Sequence, residues 1–277
     1  MREFTRRRFI VVGAAGIAAA YVSAACGDDG NGGVASPAPD ATAPAAAASP
    51  TVDAGADRGA AGLQWFGQSM FLLTSPGGTT VLLDPFGEIG YTLPPPLNSD
   101  VATITHEHPD HSNDALAGTA TVLRGLTADG WADIDETIGD VNIRTVQTCH
   151  AASQGSERGR NAVFVFETGG LRIAHLGDLG HVLTDEQRTG IGQVDALMVP
   201  VGGGFTLDAA AATQVAGQLD AKIAFPMHYQ TERVTFLRDT AEPFLVGKTV
   251  ERAGSTTIRL SAADLPAALT AYVLDYE

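Results

Sequence analysis

Short apolar runs separated by turn residues dominate the chain from Leu63 onward. Leu63–Phe66, Met70–Thr74, Thr80–Leu83 and Val101–Thr105 are too short for stable helices, and their β-branched and aromatic content predicts strands. Ser75-Pro76-Gly77-Gly78 between two of them predicts a hairpin turn. Gly87–Asp100 contains three consecutive prolines and predicts a long irregular loop, of a length often tied to function. A second group of runs begins near Val141: Val141–Thr148, Ala162–Glu167, Leu171–His175, Asp195–Val201 and Lys222–Pro226. Helices are expected at Thr184–Gly190 and Asp208–Leu219, the latter opening on Asp208 and continuing through an alanine-rich body. Strand groups alternating with helices predict layered α/β structure.

The first sixty residues follow a different pattern. Thr5-Arg6-Arg7-Arg8-Phe9-Ile10 opens a stretch of apolar and small residues reaching Ala25, which predicts a secretory signal over residues 1–25. The arginine pair followed by x-Phe-Ile resembles a twin-arginine signal. Ser23-Ala24-Ala25-Cys26-Gly27 resembles a lipoprotein cleavage box, although Ser23 replaces the usual Leu or Val. The expectation is an exported protein, either secreted or held in the cell envelope by a lipid on Cys26. Residues 26–60 are rich in Ala, Pro, Gly, Ser, Thr and Asp, and too poor in large apolar groups to offset their ordering entropy. They are expected to form a disordered tether, leaving residues 61–277 as one folded domain. The other cysteine, Cys149, is expected to be a packing residue, so no disulfide framework is predicted. A net charge of −15 disfavours nucleic acid as a partner, because phosphate binding needs clustered Lys and Arg; a small-molecule substrate is expected instead.

The chemistry concentrates in His106-Glu107-His108-Pro109-Asp110-His111, directly after the run Val101–Thr105. Pro109 forces a turn, so these side chains converge at a strand end. Three of the seven histidines lie here; His150, Asp178 and His228 follow, each at or just past the end of another apolar run. Imidazole and carboxylate donors together suit zinc, manganese or iron. A satisfied core histidine or a loose His-rich binder would leave the motif without such partners.

The H-x-H-x-D-H motif, lone His150, Gly177-Asp178 and late His228 resemble the metallo-β-lactamase-fold hydrolases. The branch containing ascorbate-6-phosphate lactonase is the most similar. The resemblance also rests on Trp65-Phe66-Gly67-Gln68-Ser69-Met70-Phe71-Leu72, Leu82-Leu83-Asp84-Pro85-Phe86, Ala174–His181, Val199–Gly204 and Pro226-Met227-His228-Tyr229. It implies a four-layer αββα sandwich and two divalent metal ions, zinc foremost, with manganese or iron as alternatives. By the same resemblance His106, His108 and His150 hold the first ion, and Asp110, His111 and His228 the second. Asp178 bridges them, and Asp110 and Asp178 are the expected catalytic residues. The implied function is attack by a metal-bound hydroxide on a small ester, lactone or phosphodiester. The alternatives are an exported metal- or ligand-binding lipoprotein without turnover, and a nuclease-type phosphodiesterase.

The neighbouring residues carry subsidiary expectations. Gln68 stands where many relatives carry His, a change expected to leave the metal ligands untouched. Asp84 is expected to accept a hydrogen bond from a ligand imidazole. His175 is expected to be structural, and His181 either to orient a ligand, contact substrate or lie at the surface. Glu107 and Pro109 shape the turn. Arg158 and Arg160 form either a phosphate-binding pair or a solvated loop, and Gly202-Gly203-Gly204 lets backbone approach the pocket.

Overall fold

The computed structural model describes residues 59–151 and 159–276. The expected signal, Cys26, nearly all of the tether and Arg158 lie outside the described residues. Among those described, no helix is long and apolar enough to cross a membrane.

Two mixed sheets form the sandwich. The first is built from β1 (Ala61–Trp65), β2 (Phe71–Thr74), β3 (Thr80–Leu83), β4 (Val101–Ile104) and β5 (Thr121–Arg124), with α1 (Asp114–Ala117) between the last two. The second contains β6 (Asp135–Ile138), β7 (Val141–Cys149), β8 (Arg160–Thr168) and β9 (Leu171–His175). After α2 (Asp185–Ile191) it adds β10 (Ala196–Pro200), and after α3 (Ala209–Gln218) it adds β11 (Ile223–Met227). Beyond α4 (Glu242–Leu245), β12 (Thr249–Arg252) and β14 (Thr270–Val273) extend the second sheet, whereas β13 (Thr257–Leu260) crosses to the first. The orders are β13-β1-β2-β3-β4-β5 and β12-β14-β11-β10-β9-β8-β7-β6.

Each sheet begins as an antiparallel meander and turns parallel. β1, β2 and β3 pair antiparallel, then β3, β4 and β5 run parallel. In the same way β7, β8 and β9 pair antiparallel, and β9, β10 and β11 run parallel. The predicted turn at Ser75–Gly78 closes the β2–β3 hairpin, with Ser75 N–H donating to the Thr79 carbonyl at 2.8 Å. Alternation places Val81 and Leu83 in the core between the sheets and Leu82 on the outer face of β3. The central strands β10 and β11 are buried at every position, as parallel strands covered on both faces must be.

Helices α2 and α3 begin where their caps predict. Thr184 and Gln187 form a reciprocal capping box on α2, and Asp208 accepts from Ala211 N–H at 2.9 Å on α3. Met198, Ala212, Val215, Phe225 and Phe244 belong to the main core, which holds α3 and α4 to the second sheet. A separate core on the outer face of the first sheet joins Leu82 and Ala102 to Leu116 and Ala117 of α1, Phe86 and Tyr91 of the proline-rich loop, and Val234 and Leu237. The expected four layers are therefore present, with the outer layer over the first sheet reduced to a single helical turn and loop.

Candidate metal centre

The strands β3, β4, β7, β9 and β11 all end at one edge of the sandwich. Residues just beyond those ends supply the cluster: Asp84 after β3, His106 to His111 after β4, His150 after β7, Asp178 after β9 and His228 after β11. All seven expected ligands are brought together, in two groups. His106, His108, His150 and Asp178 offer donor atoms within 4.8 Å of one another, as do Asp110, His111 and His228.

The Asp178 carboxylate faces both groups at once. Its Oδ2 lies 2.9 Å from His150 Nε2 and 3.7 Å from His106 Nε2. Its Oδ1 lies 3.1 Å from His111 Nε2 and 3.3 Å from His228 Nε2. Asp110 Oδ2 completes the second group, 3.6 Å from His111 Nε2 and 3.5 Å from His228 Nε2. Within the first group His106 Nε2 and His108 Nδ1 are 3.0 Å apart.

Surrounding acceptors assign the tautomers. His111 Nδ1–H donates to Asp84 Oδ2 at 2.8 Å, and His150 Nδ1–H donates to the Phe205 carbonyl at 2.8 Å. Thr105 Oγ1 donates to Asp84 Oδ2, so it accepts from His106 Nδ1–H at 3.0 Å. Each of these imidazoles therefore turns an Nε2 lone pair toward the cluster. His228 Nδ1 is buried and has no hydrogen-bond partner among the described residues.

Electrostatics agree with this arrangement. Burial works against ionisation of Asp178, but His111 and His228 outweigh it and hold the carboxyl well below the usual carboxylate range. Asp110 is likewise lowered against its burial, by His111 and His228. Burial, reinforced by His111, pushes His106 well below the usual imidazole range. His111 moves the other way despite burial, because Asp178, Asp110 and Asp84 surround it. His111 Nε2, His150 Nε2 and Asp178 Oδ1 are buried without a hydrogen bond among the described residues. Such orphaned atoms, all directed inward, fit divalent cations as their missing partners.

Local backbone is shaped to this end. Gln68, Asp84 and His228 all have positive φ, at 48°, 42° and 50°. Non-glycine residues rarely adopt that conformation, and such strain clusters at functional sites. Gly177 has φ +53°, and a Cβ there would collide with Asn161 Oδ1 and Thr105 Oγ1. Gly202 passes so close to the His228 carbonyl that no side chain fits, as expected of this glycine-rich segment.

Several subsidiary expectations are resolved. Asp84 is the predicted imidazole acceptor. His175 is structural: Nε2–H donates to the Ser69 carbonyl at 2.8 Å, and Nδ1 accepts from Gly177 N–H. His181 Nε2 accepts from Cys149 N–H at 3.3 Å, so it steadies the segment carrying His150. Glu107 pairs with Arg124 at 2.8 Å and ties the turn to β5, while the Pro109 carbonyl accepts from Gly87 N–H.

One expectation needs correction. Gln68 is not neutral toward the ligands, because its Nε2–H donates to Asp110 Oδ2 at 2.9 Å. Arg160, the described member of the arginine pair, is exposed, and its guanidinium lies over the Trp131 ring, 5.2 Å from the centroid.

Sequence reasoning missed Thr105, Asn161, Phe205 and Phe236. Asn161, fully buried, accepts from Asp178 N–H and donates to Thr148 Oγ1 and the Leu176 carbonyl, holding β7 and the end of β9 together. Nothing in the local sequence marks it, since each partner is distant along the chain.

A two-sheet sandwich with a split histidine–aspartate cluster on one edge has clear counterparts. The family model "Beta-lactamase superfamily domain" matches residues 62–228, and the chain belongs to that superfamily. A UPF0173 protein of Pyrococcus abyssi is 31% identical over 184 residues, covering 60% of this chain and 82% of the relative. A UPF0173 metal-dependent hydrolase of Methanosphaera stadtmanae is 30% identical over 199 residues, covering 61% and 84%. Among solved structures, one from Thermotoga maritima assigned as a zinc-dependent hydrolase of the metallo-beta-lactamase superfamily has a TM-score of 0.60 and 32% identity. The match covers 78% of this chain and all of that one.

Proposed function

We propose that this protein is a metal-dependent hydrolase of small ester, lactone or phosphodiester substrates, working with two divalent ions. The observation that carries the reading is Asp178, whose two oxygens face separate histidine groups. His106, His108 and His150 would hold one ion with Asp178, and Asp110, His111 and His228 the other. Bound there, such ions supply Lewis acidity and lower the pKa of water toward neutrality. The chain's own residues do the rest. Asp84, Thr105 and the Phe205 carbonyl hold Nδ1 of His111, His106 and His150, so that the Nε2 atoms are directed at the cluster. Asp110 lines the cleft and faces His111 and His228, placed to hold the second ion from the cleft side. His111 attracts a proton in the metal-free cluster, so loading is expected to release protons.

Replacing Asp178 by Ala tests the reading. The variant is expected to keep its circular dichroism, bind fewer than two ions per chain, and lose about 100-fold or more in turnover of any substrate found in an ester, lactone and phosphodiester screen. Elemental analysis and steady-state kinetics measure both. Two retained metals with near-normal turnover would remove Asp178 from the bridge.

A further inference from the structure

The donor cluster is only one wall of its cleft. A cavity of about 450 Å³ is lined by His108, Asp110, His150, Asp178 and His228 together with Phe205, Phe236 and Leu237. Phe205 and Phe236 are 45% and 53% exposed, and of the exposed large hydrophobics among the described residues only Val246 lies elsewhere. Neither ring belongs to either hydrophobic core. Isolated exposed apolar residues are ordinary, but two rings at one mouth form a contact surface.

This wall is anchored. Leu237 is buried in the outer core of the first sheet. The Phe205 backbone is fixed by the bond from His150 Nδ1–H to its carbonyl. Among the cleft's described lining residues there is no Lys or Arg, while Asp110 and Asp178 are present. Arg160, on Trp131, borders a different groove.

We propose that the cleft takes a substrate whose non-reacting part is an aromatic or branched alkyl group, seated against Phe205 and Phe236. The proposal rests on the hydrolase reading for the role of the donor cluster. Burial of such a group against the two rings supplies affinity, and ring–ring contact favours an aromatic one. The scissile group then faces the histidines and Asp110 across the same cavity.

Hydroxamates, which chelate metal ions through two oxygens, test the wall without requiring turnover. Zinc-loaded full-length protein is titrated by calorimetry with acetohydroxamate, benzohydroxamate, phenylacetohydroxamate and the carboxylate-bearing succinic monohydroxamate. The aromatic probes are expected to bind about tenfold more tightly than acetohydroxamate. Phe205→Ala and Phe236→Ala should each erase most of that gain, leave acetohydroxamate affinity within about twofold and keep the zinc content. Phe236 is exposed on a loop, so its variant carries the test if Phe205→Ala loses zinc. Equal affinities for all probes, or tightest binding of the anionic one, would overturn the apolar wall and leave the metal centre standing. If no hydroxamate binds protein that demonstrably holds zinc, the hydrolase reading fails and takes the proposal with it.

Discussion

Gln68 shows how a residue can matter to a metal centre without being a ligand. Its side chain is fully buried, its backbone has positive φ, and its carboxamide donates to Asp110 Oδ2. Its carbonyl also accepts from His228 N–H at 3.1 Å, so one residue touches two members of the second donor group. Gln68→Ala is expected to weaken binding of one ion, or lower activity, by about 10–100-fold while sparing the other ion. Gln68→His, which restores a donor, should recover much of the loss. Calorimetric metal titration decides it, and an unchanged pair of affinities for Gln68→Ala would show that Asp110 needs no support. The ligands themselves were legible because imidazole and carboxylate at strand ends advertise their chemistry by type. Gln68, Thr105, Asn161 and the Phe205 carbonyl were not, because their roles arise from hydrogen bonds to residues far away in sequence. The positive φ values of Asp84 and His228 are equally silent in a list of residue types.

Strand legibility followed burial. β3, β4, β9, β10 and β11 stand where apolar runs predicted them, because most of their positions are buried. The edge strands β5, β6 and β12 expose much of their length and carry no clean alternation, and β13, although it alternates, is only four residues long. The second helix prediction survived with its cap, whereas α1, a single turn, leaves no periodicity to read. One contact between elements carries a prediction of its own. Asp140, in the β6–β7 turn, accepts from Ser75 Oγ, Thr79 Oγ1 and Gly77 N–H of the β2–β3 turn, clamping one sheet to the other. Desolvation opposes its ionisation, but these three donors win and lower its carboxyl pKa. A lowered folded-state value means the stabilisation is present above the unfolded carboxyl pKa of about 3.9 and is lost as pH falls through the folded value. Because the carboxylate is exposed, Asp140→Asn is expected to cost only about 1 kcal/mol at neutral pH. Urea unfolding across pH should show that difference constant from about pH 5 to 7 and shrinking below about pH 4. A difference that persists unchanged at low pH would assign the effect to shape and not to charge.

At the scale of the molecule, the two sheets are tied at both ends by different chemistry. The Asp140 clamp holds the end where β3 and β7 begin. At the opposite end, His106, His108, Asp110 and His111 come from the first sheet, and His150, Asp178 and His228 from the second. Each proposed ion therefore takes ligands from both sheets and acts as a cross-link between them. The layered architecture was legible in the alternation of runs, but this division of ligands was not, because strand order within sheets is a tertiary fact. A ligand that binds only the folded chain stabilises it by mass action, about 2.7 kcal/mol for one site at a hundred times its dissociation constant. For a domain of this size that corresponds to a rise in Tm of roughly 5–10 °C per site. Chelator-treated protein is therefore expected to melt lower by that margin or more, and to recover on adding zinc. Differential scanning calorimetry on stripped and reloaded samples, with elemental analysis of both, makes the measurement. Since Asp178 and Asp110 ionise beside His111 even without metal, the stripped cluster retains its own ion pairs and the fold should survive. Verified loss of metal with no change in Tm would mean that the ions add no stability to the folded chain and do not act as a cross-link between the sheets.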